Sequence, residues 1–448
     1  MNIKEIPFKI NLLLFFITLY LNFTVQYDPG RWNGFHDVKD YLFQSNYSLF
    51  SKDFFFTKPK PDFYPRPFTV PLFYKMAGHR GETIVKLQKF IHTLSVFVLV
   101  YSLLLLLKTG PVRYFIMFSI YFLMSWWNIL GWTTQLLSES LSMSFLFLWL
   151  ATFLLFYSKR KPWILLIHGL ITILFSFTRD SWPYLLILFY GIMIVIAWLS
   201  DRPLLKGSVI MLLLSVTIYI VQGKSSGIGQ RTKVPIINNI VLRILPEPEY
   251  YKWFVIKGLP TAGLIKQQFS GIDINKEHDL WKIFGLYTDP AYKEFQEWAA
   301  DHGKGLYTRF LITHPSYSLL MKEPESKLKR IFACNLNYVT PVNGYSLFAE
   351  KWLPFFSPLS LLILLLLLIW FFIKTRKIYL LFPLVFGLLF LFNVFLNYNA
   401  DTMEVERHLF ITMIMVQLLS IWSLSHLADE AFSMIKSAKS HTAIPAKC

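Results

Sequence analysis

Charge is what this chain has least of. Of its 448 residues only 16% are Asp, Glu, Lys or Arg, where a soluble domain carries roughly a quarter. Cysteine is scarcer: two residues, Cys334 and Cys448, form neither a disulfide framework nor a metal-ligand spacing. Cys448 stands outside a C-a-a-X box, so prenylation is not indicated. Gly223-Lys224-Ser225 lacks the first glycine that a phosphate loop requires. Asn22-Phe23-Thr24-Val25-Gln26 offers no A-x-A-like cleavage site after the first apolar run, which favours a retained span over a signal peptide. What is abundant is apolar: 54% hydrophobic, 18% aromatic, mean hydropathy +0.45. That is the composition of a membrane chain. The formal charge of +17 does not point to nucleic acid, because the basic residues are scattered between apolar segments and form no stripe.

Runs of membrane-crossing length fall at Ile10–Val25, Phe90–Leu107, Tyr114–Leu130, Leu136–Tyr157, Trp163–Phe177, Trp182–Leu199, Leu205–Val221, Leu353–Ile373, Tyr379–Leu396 and His408–Leu427. The fifth and seventh are short, so the count is nine or ten. With the N-terminus inside, the inner turns hold Lys108 and Arg113, Lys159-Arg160-Lys161, Arg202 and Lys206, and Lys374, Arg376 and Lys377. The short outer turns hold only Arg179 and Arg407. This asymmetry predicts both termini in the cytoplasm. The expected fold is an all-α polytopic membrane protein. Residues 1–221 form a transmembrane module with a first extracytoplasmic loop at 27–89. Residues 222–352 form a mostly helical extracytoplasmic domain, and residues 353–448 hold the last helices and a cytoplasmic tail.

Ionisable groups beside spans are costly and therefore candidates for function. In the first loop, Asp37, Asp40 and Tyr41 fall at i, i+3 and i+4, one face of a short helix. A carboxylate pair at that spacing can take a proton or hold a cation; the plainer reading is a solvated face with an interfacial tyrosine. The run from Tyr64 to Tyr74, containing Arg66, is too rich in proline for an ordinary helix. Gln135, Glu139 and Ser142 fall at i, i+4 and i+7 where the fourth span opens. Thr178-Arg179-Asp180 is a tight outer turn, where Arg179 either grips a lipid phosphate or pairs with Asp180. Before the last span, Glu404, Glu406, Arg407 and His408 make a dense polar turn. In the large loop, Arg231, Asn238, Asn239 and Arg243 are candidate acceptor contacts, and Asp289-Pro290 reads as a helix cap.

Together these residues resemble the GT-C superfamily of polytopic glycosyltransferases, in the branch with bacterial protein O-mannosyltransferase-like and aminoarabinose-transferase-like enzymes. The likeness rests on Asp37-x-x-x-Tyr41, the Arg66-Pro67 to Tyr74 run, Ser138-Glu139-Ser140, Thr178-Arg179 and Glu406-Arg407-His408. The adjacent Asp-Glu of the mannosyltransferases is absent, since Val38 follows Asp37, which leaves the catalytic carboxylate and the sugar open. The resemblance implies inverting transfer of a sugar from a polyprenyl-phosphate donor to a lipid, glycan or protein acceptor at the outer face of a bacterial inner membrane. It implies Asp37 or Asp40 as base. Tyr41, Arg66, Glu139, Arg179, Glu404, Glu406, Arg407 and His408 would serve donor and phosphate, with a bridging Mg²⁺ or Mn²⁺ left open. A lipid-linked glycan polymerase or ligase, or a lipid or solute transporter, are the alternatives. A transporter calls for Gly/Pro-broken spans with buried midplane charge, and here charge gathers at the outer ends of spans.

Overall fold

The computed structural model describes residues 6–26, 36–60, 63–198, 202–272, 277–319, 357–400 and 405–442. Their regular structure is helical, with one isolated bridge, Lys60 to Phe63, and no strand among them. In chain order the principal helices of the bundle and its first loop are α1 (Ile6–Thr24), α2 (His36–Ser45), α3 (Thr69–Met76), α4 (Gly81–Leu104), α5 (Gly110–Met124), α6 (Ser138–Lys159), α7 (Pro162–Ser176), α8 (Trp182–Trp198), α9 (Arg202–Ile228), α10 (Pro358–Thr375), α11 (Phe382–Ala400) and α12 (Val405–Thr442).

Among the described residues six helices are long and apolar enough to cross a membrane, and they fall on six of the ten expected segments. The other four segments fall on shorter apolar helices, Gly110–Met124, Pro162–Ser176, Trp182–Trp198 and Leu359–Thr375. Three boundaries move. The first loop is shorter than expected, because α4 begins at Gly81 and takes in Lys89. The third segment breaks at Ser125 and Trp126 before a separate turn of helix at Trp127–Trp132. And α9 continues past Val221 to Ile228, carrying Gly223-Lys224-Ser225 as helix.

The helices run up and down, so that chain turns collect at two ends. At one end lie α2, α3, the start of α6 and the ends of α7, α9 and α11. At the other, the Asp429 carboxylate accepts the backbone N–H groups of Lys108 and Thr109, at 3.1 and 2.7 Å. This satisfies donors orphaned where α5 begins. Beside it the buried Glu430 accepts from Lys377 Nζ at 2.7 Å and from the Tyr379 hydroxyl. The residues meeting here are those of the basic turns. At the same end the Phe156 ring of α6 reaches α9, where a Cβ at Gly207 would fall 2.5 Å from it, so a larger residue would have to displace the ring.

Between the ends the core is aromatic, built on Trp149, Phe153, Phe189 and Phe386. His168 is satisfied within it, bonded to Thr152 at 2.8 Å and Tyr190 at 2.7 Å. The described residues of 233–318 form a separate helical layer with its own apolar core around Ile237, Phe254, Leu286, Phe295 and Phe310. Asp289 caps a one-turn helix there by accepting from Ala291 N at 2.9 Å, followed by Lys293–Trp298.

Candidate functional site

The site grows from one face of α2. Asp37, Asp40, Tyr41 and Gln44 stand at i, i+3, i+4 and i+7, and each of the four reaches Arg66. Arg66 Nη2 donates to Asp37 Oδ1 at 2.6 Å and to Asp40 Oδ2 at 2.7 Å, while Nε donates to the same Asp40 oxygen at 3.0 Å. The guanidinium lies 5.9 Å from the Tyr41 ring centroid, at cation–π range. Gln44 accepts from Arg66 N at 2.7 Å and donates to Arg66 O at 2.9 Å, which pins the backbone that carries the guanidinium. The free oxygen of Asp40 accepts from Tyr64 N at 3.0 Å.

The proline-rich run stays out of helix only as far as Pro67, and Phe68 already has helical backbone angles. Helix α3 then begins at Thr69 with Pro71 inside its first turn, where the missing N–H has no partner to lose. Thr69 anchors it across the fold: its N–H donates to Phe177 O at 3.2 Å and its hydroxyl to Leu174 O at 2.9 Å. Phe68 packs on Phe177 at 4.4 Å. Those contacts bring Arg66 beside the turn that carries Arg179.

Arg179 Nη2 donates to Glu139 Oε1, and its Nε lies 3.5 Å from Ser138 Oγ. Glu139 is fully buried at the start of α6. Asp37, Arg66, Glu139 and Ser138 all act on the Tyr41 phenol, so Tyr41 lies between the two ion-pair groups. Asp37, Asp40, Tyr41, Arg66, Glu139 and Arg179 thus gather at one end of the bundle. Glu404 lies outside the described residues. Glu406, Arg407 and His408 sit in the first turn of α12, but their side chains also lie outside them.

Two local expectations are corrected. Arg179 and Asp180 do not pair with each other: Asp180 is gripped by Arg231, through Nε to Oδ2 at 2.9 Å and Nη2 to Oδ1 at 2.8 Å. Consecutive side chains in a turn diverge, and each finds a partner far along the chain. Gln135 does not share a helix face with Glu139, because α6 starts at Ser138.

Burial pushes the Asp40 carboxyl above its ordinary value, more than Arg66 and the Tyr64 N–H pull it down. Burial, with Asp37 nearby, holds the Tyr41 phenol up at about 12, so it stays protonated. Arg66 is more firmly charged than usual, since Asp37 and Asp40 outweigh the effect of its own burial. Asp180 lies below its ordinary value: burial raises it, but Arg231, Gln222 and Lys304 together outweigh that. The two loop carboxylates therefore differ. Asp40 is almost fully covered and thrice bonded, while the Asp37 side chain keeps 19% of its surface exposed. A cation bridging them would first need Arg66 to leave, and no group of three His, Cys, Asp or Glu suited to a metal occurs among the described residues.

No protein family, curated protein sequence or solved structure matches the chain.

Proposed function

We propose that this chain is an integral membrane glycosyltransferase of the GT-C kind, moving a sugar from a polyprenyl-phosphate donor to an acceptor with inversion. One observation carries the reading: the gathering of Asp37, Asp40, Tyr41, Arg66, Glu139 and Arg179 at one end of an apolar bundle. On this reading all ten apolar helices cross the membrane, and the site end faces outward. The basic turns and both termini face the cytoplasm, as the charge asymmetry requires. The layer 233–318 lies above the outer face.

The roles follow from exposure and bonding. Asp37 is the base, because it is the accessible carboxylate of the pair. Asp40 anchors Arg66 from the covered side. Arg66 and Arg179 take the donor phosphate. Both arginines already hold carboxylates, so the phosphate binds by exchange: as it draws Arg66 away from Asp37, it removes the cation that holds that carboxylate's proton affinity down. The acceptor hydroxyl gives its proton to Asp37 and its oxygen bonds the anomeric carbon. The bond from that carbon to the phosphate oxygen breaks, and prenyl phosphate leaves with the electron pair.

Purified protein given a radiolabelled polyprenyl-phosphate sugar and membrane acceptors tests the proposal. Wild type should transfer label, and Asp37→Asn should lose at least about a hundredfold in rate, the usual worth of a positioned base. Absent transfer across a panel of prenyl-phosphate sugars, or equal rates in the two proteins, would overturn it.

A further inference from the structure

Neither arginine of the site is placed by its own element alone. Both rest against one stretch, the outer end of α9 and the turn after it. Gln222 Nε2 donates to Arg179 O at 2.9 Å and to Asp180 Oδ1 at 3.0 Å. Arg231, with only 6% of its side chain exposed, forks onto both Asp180 oxygens and donates through Nη1 to Ser225 Oγ at 3.1 Å. Ser225 in turn donates to Phe55 O at 2.6 Å, within the loop that leads to Arg66. Gly229 presses on the residue before Arg66: a Cβ there would lie 3.3 Å from Pro65 Cβ. Four residues within the stretch 222–231 thus hold the turn bearing Arg179 and the chain leading to Arg66.

We propose that Gln222, Ser225, Gly229 and Arg231 form a positioning clamp that sets the spacing of the Arg66 and Arg179 guanidinium groups, and so determines selectivity for a phosphate-bearing lipid head. The inference rests on the donor reading above. Guanidinium recognition of phosphate is directional, with paired N–H groups meeting oxygens in a plane. A site of that kind holds its geometry only when the groups behind it are locked. The pair formed by Asp180 and Arg231 locks the turn from outside, while Gln222 locks the carbonyl of Arg179 itself. Because the clamp leads directly into the layer 233–318, that layer and the phosphate site are mechanically joined.

The test uses the full chain in lipid nanodiscs and two probes, a polyprenyl monophosphate and the matching polyprenyl alcohol. The readout is the ratio of their dissociation constants. Loss of folding weakens both probes alike, whereas misplaced arginines weaken the phosphate alone. Wild type should prefer the phosphate. Arg231→Gln should lower that preference by about tenfold, within the range set by misplacements of an ångström or so. The exchanged pair Asp180→Arg with Arg231→Asp should recover part of it. Gln222→Leu, which keeps the helix and removes the amide bonds, should show the same loss and stands in if Arg231→Gln does not fold. The clamp is overturned if Arg231→Gln and Gln222→Leu keep the wild-type preference while Arg179→Gln loses it. If wild type shows no preference and Arg179→Gln changes nothing, the donor reading has failed and the clamp with it.

Discussion

At the scale of single residues, the two first-loop carboxylates are chemically unequal although the chain spaces them as a matched pair. Asp40 accepts Arg66 twice and the Tyr64 N–H once, yet burial still raises it above the ordinary 3.8. The stability consequence has a definite sign. Between 3.8 and its folded value, the native protein holds a proton that the unfolded chain has released. Ionised Asp40 therefore subtracts from stability at neutral pH, and that cost is relieved as pH falls through the folded value. Asp40→Asn cannot titrate. Unfolding midpoints of the two proteins across the acid range should show wild type gaining on Asp40→Asn as pH falls through this window. A wild type that loses ground to the variant there would show that Asp40 is lowered, with the Arg66 pair outweighing burial.

At the scale of elements, α2 shows what local pattern can and cannot foretell. The spacing of Asp37, Asp40 and Tyr41 was enough to put them on one helical face, because the helical period is a local property. Their common partner was not legible: Arg66 lies 29 residues beyond Asp37, past turns whose directions depend on long-range contacts such as Thr69 with Leu174. Gln44 sits one further turn along the same face, at i+7, but an uncharged amide gives no electrostatic signal to mark it. Arg231 stood out only as a possible acceptor contact, since nothing nearby in the chain marks Asp180 as its partner. Asp429 and Glu430 lie past the last apolar run, in what reads as a tail. Gln44 is the element's second hold on the site, and its loss is measurable. Gln44→Ala removes partners from the backbone N–H and C=O of Arg66 and from Phe54 O. It should cost about 1–3 kcal/mol in unfolding free energy, the penalty for buried groups left unmet. Gln44→Glu keeps the acceptor but turns a second carboxylate oxygen on the Phe54 and Arg66 carbonyls, so it should cost at least as much. Equal stability for Gln44→Ala and wild type would show that α2 holds Arg66 through its carboxylates alone.

At the scale of the whole molecule, the bundle keeps its ionic groups in two clusters with an apolar interior between. Helix α6, 22 residues long and so about 33 Å at the helical rise, carries Glu139 in its first turn and Lys159 as its last residue. The far cluster needs its pairing as much as the site does. Glu430 is almost fully buried beside Lys377, and Asp429 caps the start of α5. Taking away one member of such a pair strands the other charge in a poor solvent, at a cost of about 3–5 kcal/mol. Lys377→Ala takes a cation from Glu430, and Arg179→Gln takes one from Glu139. Sites this far apart with no shared partner should add to within about 0.5 kcal/mol, so the double variant should be destabilised by the sum of the single effects. The clamp adds a second expectation, because it ties the site to the layer 233–318 and not to the far cluster: Lys377→Ala should leave the preference for prenyl phosphate over prenyl alcohol unchanged. Stability measured by denaturant titration of all four proteins decides the first point. A double variant markedly more stable than the sum would mean that the two ends share one rigid unit through α12, and that charge lost at one end is already felt at the other.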